Sequence, residues 1–299
     1  MIDMNAPNGI PIRNIRISLT KRCNLKCFYC HREGELIPKG VPREITVEEI
    51  ENLLEVSREL GIDKVRFTGG EPLVRKDIIE VVEAASRHMD DVSLSTNGTL
   101  LAPIAKDLKD AGLDRINVTL NSLKPDIFSS MVGADALSDA VDGVEKAYEA
   151  GINPIKINMV VVKRNCGEIP DMISYLRPGM ILQLIELIAS KDGEADSFYL
   201  ENHVDFGPIE KYLEEHAERI EVRQKHKRKR YCLPQVVEIV RSMHNSTFCQ
   251  HCNSIRVTSE GKVKKCLFNN DLKIIDDFSD KDSIRRVMES TIMEKRPYW

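Results

Sequence analysis

Residues 46–70 read TVEEIENLLEVSRELGIDKVRFTGG, one complete helix-to-strand unit. Thr46 stands as an N-cap with Glu49 three residues on, the capping-box spacing. Gly61 follows the helical pattern as C-terminal glycines do. After a short gap, Lys64–Thr68 alternates as a strand. Working outward, the same rhythm recurs. Candidate strands are Ile15–Thr20, Lys64–Thr68, Val92–Thr96, Arg115–Leu120, Pro154–Val162 and Ile181–Leu187. Helical patterns cover Thr46–Leu60, Lys76–His88, Leu100–Ala111 and Ala136–Ala150, with Gly112 and Gly151 just past the last two. The alternation predicts an α/β fold of parallel strands joined by right-handed crossovers.

The strands carry a second message. Parallel strands covered by helices on both faces read as almost wholly apolar. Here Arg16, Ser18 and Thr20 share one face, as do Lys64, Arg66 and Thr68. Ser93 and Ser95, then Asn117, Thr119 and Asn121, then Lys156 and Asn158 repeat the pattern. Strand alternation puts each set on one side, with Ile, Val, Leu and Phe on the other. The polar sides therefore face a barrel interior. Buried charges without partners are costly, so an interior holding Arg16, Arg66 and Lys156 makes sense as an open cavity for a polyanion. A half-exposed sheet with a wet face is the alternative.

From about Ala189 the rhythm breaks. A polar stretch (Lys191–Ser197) leads to a helix near Phe206–Glu218 and strand-like pieces at Ile220–Arg223, Gln235–Val240, Ile255–Thr258 and Lys262–Lys265. Ser259-Glu260-Gly261 reads as a hairpin turn, and a helix near Ser283–Met293 follows. We therefore expect residues 1–188 to form the core and 189–299 an α+β extension. The basic run Lys225–Arg230 reads as a solvated surface strand or loop.

With 299 residues, 42% apolar and 30% charged, the chain can build a real core. No stretch approaches the ~20 apolar residues of a membrane span, and no signal-peptide pattern opens the sequence. A cytoplasmic location is expected. The net charge of −4 predicts no bulk attraction to nucleic acid or membrane.

Eight cysteines are the compositional oddity, and six fall into two tight groups. In a chain without an export signal they should stay reduced, so the clustering points to metal or cofactor chemistry. Cys23, Cys27 and Cys30 follow the first strand as C-x3-C-x2-C. Three thiolates on a short loop suit one corner of an iron–sulfur cube and leave one iron open. A zinc site completed by His31 is the alternative. Gly69-Gly70-Glu71-Pro72 ends the second strand; its glycines let backbone approach a ligand, and Glu71 can accept from an ammonium group.

The loop Cys23-Asn24-Leu25-Lys26-Cys27-Phe28-Tyr29-Cys30 together with Gly69-Gly70-Glu71-Pro72 resembles the radical S-adenosylmethionine (SAM) superfamily. That resemblance implies a partial (β/α)6 TIM-type barrel in which SAM binds the open iron and is cleaved to a 5′-deoxyadenosyl radical. By similarity, Tyr29 lies against the adenine, Gly70 and Glu71 hold the methionyl end, and Ser122 helps to bind SAM. Asn97-Gly98 also fits a ligand-facing loop.

Cys249, Cys252 and Cys266 form a second trio, C-x2-C-x13-C. We read it as a second [4Fe–4S] cluster with an open iron facing substrate; a zinc ribbon completed by Cys232 or His251 is the alternative. With Cys252-Asn253-Ser254-Ile255-Arg256 and Lys265-Cys266-Leu267-Phe268, the chain resembles the GTP 3′,8-cyclase family of molybdenum-cofactor biosynthesis over essentially its whole length. The resemblance implies GTP as substrate, with contacts at Arg16, Lys64, Arg66, Thr96, Lys156, Ser254, Ile255 and Arg256. It implies two [4Fe–4S] clusters and SAM as cofactors. It also implies a flavodoxin- or ferredoxin-type electron donor and a downstream cyclic pyranopterin monophosphate synthase. The oligomeric state, a homodimer included, stays open.

Three departures stand out. Ser254 occupies a position where bacterial members carry arginine, and Gln183 one where another base is expected. The family commonly closes on Gly-Gly, where this sequence reads Arg296-Pro297-Tyr298-Trp299. A divergent, archaeal-type branch accounts for all three. Cys166 and Cys232 lack motif partners and read as small buried apolar groups. Two other readings remain: a peptide-modifying radical SAM enzyme, and a zinc-stabilised binding module.

Overall fold

The computed structural model describes residues 5–35, 43–189 and 197–299. Most of the predicted polar stretch Lys191–Ser197 lies outside them. The core elements are β1 (Asn14–Ser18), α1 (Val47–Glu59), β2 (Lys64–Thr68), α2 (Ile78–Ser86), β3 (Asp91–Thr96), α3 (Ala105–Asp110) and β4 (Arg115–Thr119). Then come α4 (Pro125–Val132), α5 (Leu137–Glu149), β5 (Ile155–Val161), α6 (Ile169–Tyr175) and β6 (Met180–Glu186). The remainder is α7 (Ser197–Asn202), α8 (Gly207–His216), β7 (Arg219–Val222), β8 (Lys229–Cys232), β9 (Val236–Val240), α9 (Ser246–Gln250), β10 (Ser254–Val257), β11 (Val263–Lys264) and α10 (Lys281–Met293).

Thr46 caps α1 as its sequence predicts. Its hydroxyl accepts from the Glu49 backbone N–H at 3.2 Å, and the Glu49 carboxylate accepts from the Thr46 N–H at 3.0 Å. Such a cap is worth about 1 kcal/mol. Helix α1 then buries Ile50, Leu53, Leu54 and Val56 completely, each contributing roughly 1.5–3 kcal/mol of transfer free energy. They belong to one apolar cluster with Ile15, Ile17, Val65, Phe67, Leu94, Ile116 and Ile157 of the strands, which are likewise buried.

The strands form one sheet, ordered β11-β10-β1-β2-β3-β4-β5-β6-β9-β8-β7. From β10 to β9 every pairing is parallel. The six core strands lie in chain order, as the strand–helix rhythm predicts. Both flanks come from beyond residue 189: β10 pairs with β1, and β9 pairs with β6. The sheet thus runs continuously across the boundary that the sequence pattern marks. The polar faces of β1 to β6, β9 and β10 line one cavity of about 800 Å³, so the sheet curls around a wet lumen while helices cover its outside. Among the described residues no helix is long and apolar enough to cross a membrane.

Candidate active site

Among the described residues, fourteen lysines and arginines but only three carboxylates line the cavity, so this part of its wall is strongly positive. The register explains the centre of that wall. Arg16 of β1 pairs with Arg256 of β10 on one side and with Arg66 of β2 on the other. Three guanidinium groups therefore stand in one row across adjacent strands, where like charges repel. Arg256 finds Glu33 at 2.6 Å. Arg66 donates to the Ser93 hydroxyl at 3.4 Å. Among the described residues neither Arg16 nor Arg66 forms an ion pair with a carboxylate. Burial, then Arg256, brings Arg16 down to about 10; burial, then Arg16, holds Arg66 well below its usual value. Both guanidiniums lack the counter-charge that an anion in the lumen would provide.

At one end of the lumen stands the first cysteine loop. Its leading arm, Thr20–Arg22, runs against Gly69–Glu71: Gly70 N donates to Thr20 O at 2.7 Å and Glu71 N to Arg22 O at 2.8 Å. The two glycines are required by this contact. A Cβ on Gly70 would lie 2.2 Å from Arg22 O, and one on Gly69, at φ +146°, 2.6 Å from Thr20 O. The backbone that lies where a Gly70 side chain would project is that of the cysteine loop. The loop's far side docks on α4, with Lys26 N bonded to Val132 O at 2.9 Å and Phe28 N to Met131 O at 3.2 Å. Asn97 completes the support by donating to Asn24 Oδ1 at 2.9 Å.

The sulfurs are free and supplied with N–H donors. Leu25 N lies 3.4 Å from Cys23 Sγ, and Arg32 N 3.4 Å from Cys30 Sγ. Burial raises the Cys23 thiol and pushes Cys27 up to about 11, so bound metal, more than ambient pH, has to hold this loop as thiolate. Three neighbouring cysteines, two of them with backbone N–H···S contacts, suit an iron–sulfur cluster better than a single bound ion.

The second trio sits at the opposite end. Ser254 pairs with Asn14, at the start of β1, whereas the first loop follows the end of β1; the five-residue strand between them spans roughly 17 Å at 3.3 Å per residue. Cys249 is on α9, Cys252 precedes β10 and Cys266 follows β11. Cys30 and all three of these cysteines line the same cavity. Burial raises Cys249, against backbone N–H bonds from Trp299 and Tyr298. At Cys252 burial is outweighed by Lys295, the Ser254 N–H and Lys225, and the thiol is lowered. The 296–299 segment therefore does reach this site, and Arg296 and Tyr298 line the lumen. These donors and neighbouring cations fit a second thiolate-bound cluster.

Most of the predicted residues meet here. Arg16, Tyr29, Lys64, Arg66, Lys156, Ser254 and Arg256 all line the cavity. Lys64 lies 3.6 Å from Asp91, and the Tyr29 hydroxyl accepts from Asn121. Four others turn away. Glu71 is fully buried and its carboxylate accepts from Thr96 Oγ1 at 2.7 Å, Asn97 N at 2.7 Å and Leu73 N at 3.0 Å. It ties the end of β2 to that of β3, and Thr96 faces it instead of the lumen. Ser122 donates to Glu168 at 2.8 Å, and Ile255 is buried on the apolar face. Cys232 is buried, whereas Cys166 is half-buried and donates to Lys163 O at 3.4 Å.

Sequence reasoning missed the basic run. Arg223, Lys225 and Arg228 line the lumen instead of lying on a solvated surface. The organising group is Glu238 of β9, fully buried. Lys156 Nζ lies 3.2 Å from it, Arg223 Nη1 3.1 Å, Arg230 Nε 2.6 Å and Arg228 Nη2 3.6 Å. Gln183 donates to it at 2.6 Å. The available signal was an acidic residue in an otherwise apolar strand beside a basic run.

The radical SAM superfamily profile matches residues 17–176, and the one described as Molybdenum Cofactor Synthesis C matches residues 180–299. A probable GTP 3′,8-cyclase of Thermococcus kodakarensis is 42% identical, covering 97% of this chain and 98% of that protein. One from Methanothermobacter marburgensis is 41% identical, covering 97% and 96%. Among solved structures, Streptococcus suis SuiB bound to precursor peptide SuiA superposes with a TM-score of 0.70 at 14% identity, over 97% of this chain and 67% of that one. Native anSMEcpe with bound AdoMet and Cp18Cys peptide gives 0.64 at 17%, over 93% and 81%. At such identities the structural likeness establishes the fold alone.

Proposed function

Since the chain belongs to the GTP 3′,8-cyclase family within the radical SAM superfamily, we propose that it converts GTP to (8S)-3′,8-cyclo-7,8-dihydroguanosine 5′-triphosphate, the first step of molybdopterin biosynthesis. One observation supports the reading: a cationic cavity is lined by Cys30 of the first trio and by Cys249, Cys252 and Cys266 of the second, together with Arg16 and Arg66, which have no carboxylate partner among the described residues. Cys23, Cys27 and Cys30 hold the SAM-binding cluster, and Cys249, Cys252 and Cys266 the second. When bound, the clusters and SAM would supply the one-electron chemistry: transfer of the ribose C3′ hydrogen to the 5′-deoxyadenosyl carbon, formation of the C3′–C8 bond as the C8–N7 double bond opens, and quenching of the remaining radical by a second electron and a proton.

The protein's own residues bind and orient. Arg16, Arg66, Lys156 and Arg256 take the triphosphate, the guanidiniums through paired donors and the lysine as a point charge; Lys64 adds charge beside them. Ser254 and the Ile255 backbone lie beside the second trio, toward the purine. Tyr29, fixed by Asn121, forms the wall at the first trio. Glu71 and Thr96 act from behind, keeping the ends of β2 and β3 in place, and Ser122 anchors through Glu168. The cycle needs a one-electron donor of flavodoxin or ferredoxin type and a cyclic pyranopterin monophosphate synthase to consume the product, in the cytoplasm.

The test is an oxygen-free assay with GTP, SAM and dithionite. GTP should raise 5′-deoxyadenosine formation and yield the cyclised nucleotide. Stimulation by a peptide with no effect of GTP would replace this reading with a peptide-modifying one.

A further inference from the structure

The connection between β7 and β8 is bent inward. His226 and Lys227 take left-handed φ values of 62° and 50°, conformations uncommon for non-glycine residues. The bend divides a run that is basic almost throughout. Lys225 and Arg228 line the lumen, whereas Lys227, bonded to Gln224 at 3.2 Å, and Lys229, bonded to Glu214 at 2.8 Å, are not among its lining residues. Two contacts hold the bend: the His226 ring stacks on Phe248 at 3.8 Å, and His226 N donates to His251 O at 3.2 Å. Both partners flank Cys249, so the bend is tied to the second cysteine group.

The charges inside the bend are only partly compensated among the described residues. Lys225 has Arg66, Arg16 and Arg228 as charged neighbours, with Cys252 beside them. Among the described residues it has no carboxylate partner. Arg228 shares Glu238 with three other cations and keeps its Nε buried with no hydrogen-bond partner. Cations held face to face in this way are costly unless an anion completes the site. Glu238 orients the group but supplies only one negative charge.

We propose that Lys225 and Arg228 are direct ligands of the substrate's polyphosphate, forming the wall of the cradle that faces Arg16 and Arg66. The assignment rests on the reading of GTP as substrate. It also accounts for the anion site's lack of a base at Gln183, which is committed to Glu238: the cations arrive from the β7–β8 connection.

The experiment is calorimetric titration of the oxygen-free holoenzyme with tripolyphosphate, GTP and guanosine. Lys225→Gln and Arg228→Gln should each weaken tripolyphosphate and GTP by about 10- to 100-fold, the size of a lost charge-assisted hydrogen bond. Guanosine should change by less than about threefold on the same scale. Lys227→Gln, outside the lumen, should leave all three within about twofold. Lys225→Met supplies a second readout of opposite sign: it should raise the melting temperature of ligand-free enzyme, by relief of repulsion, while weakening tripolyphosphate. A folded Lys225→Gln variant that binds tripolyphosphate like the parent overturns this assignment alone. A parent that binds neither GTP nor tripolyphosphate overturns the functional reading and this assignment together.

Discussion

Replacing Glu238 by glutamine removes one negative charge and almost no volume. In the parent its carboxylate faces Lys156, Arg223, Arg228 and Arg230 and accepts from Gln183. Glutamine can offer one acceptor oxygen, but its NH2 group then points at a guanidinium or at the Gln183 amide. Removing one partner of a buried ionic group costs about 3–5 kcal/mol. For 299 residues the entropy of unfolding is about 0.6 kcal/mol/K, so the melting temperature should fall by about 5–8 °C. The same change makes the cavity more positive. If anion affinity rises tenfold, saturating tripolyphosphate adds about 1.4 kcal/mol, returning about 2 °C more to the variant than to the parent. Differential scanning calorimetry of the oxygen-free holoenzyme with and without tripolyphosphate measures both. A variant that melts within about 1 °C of the parent and responds equally to the anion would refute the assignment of Glu238 as the centre of an under-neutralised cationic cluster.

Cys23→Ala should abolish SAM cleavage and halve the iron content from about eight to about four per chain, since each cube carries four irons. Cys266→Ala should lose the same amount of iron yet keep reductant-dependent SAM cleavage, now uncoupled, with no cyclised nucleotide in the chromatogram. Gly70→Val brings its Cβ 2.2 Å from Arg22 O; because the obstacle is backbone, the cysteine loop has to move, and absorbance at the cluster band should show the first cluster lost while the second remains. Arg66→Ala should weaken tripolyphosphate more than guanosine; equal loss in a titration of both ligands would contradict its place in the phosphate cradle.

The inner barrel was legible because its two faces obey different chemistry. Ile15, Ile17, Val65 and Phe67 needed helices over them, and Arg16 and Arg66, on the alternate positions, needed something charged. Strand alternation settles the side on which each residue lies, and the in-register arginine row follows once β1, β2 and β10 are paired. That last pairing is not local. Residues about 240 positions apart are joined in β1 and β10, and no periodicity encodes which edge a late strand will choose. Helix α4 was also missed: Pro125–Val132 is short, and Lys124 lends it no side-chain cap.

The site residues divide in the same way. Cysteine spacing is a local signal: the first trio follows β1, and the second is spread over α9 and the ends of β10 and β11. Side chains at strand ends are another matter. Glu71, Thr96 and Ser122 have polar groups that another buried group claims first, namely the Asn97 N–H and Glu168. The basic run was misjudged because its burial depends on Glu238, which arrives on a strand that follows it, and on left-handed backbone at His226 and Lys227, residues that rarely advertise such a bend.

The most direct test of the central claim is electron paramagnetic resonance of the reduced, fully reconstituted enzyme. SAM should alter the signal of one [4Fe–4S] cluster and GTP that of the other, with the Cys266→Ala variant losing the GTP-responsive signal alone. Two signals indifferent to both compounds, or one signal that answers to both, would contradict a substrate cavity held between two separate cysteine trios.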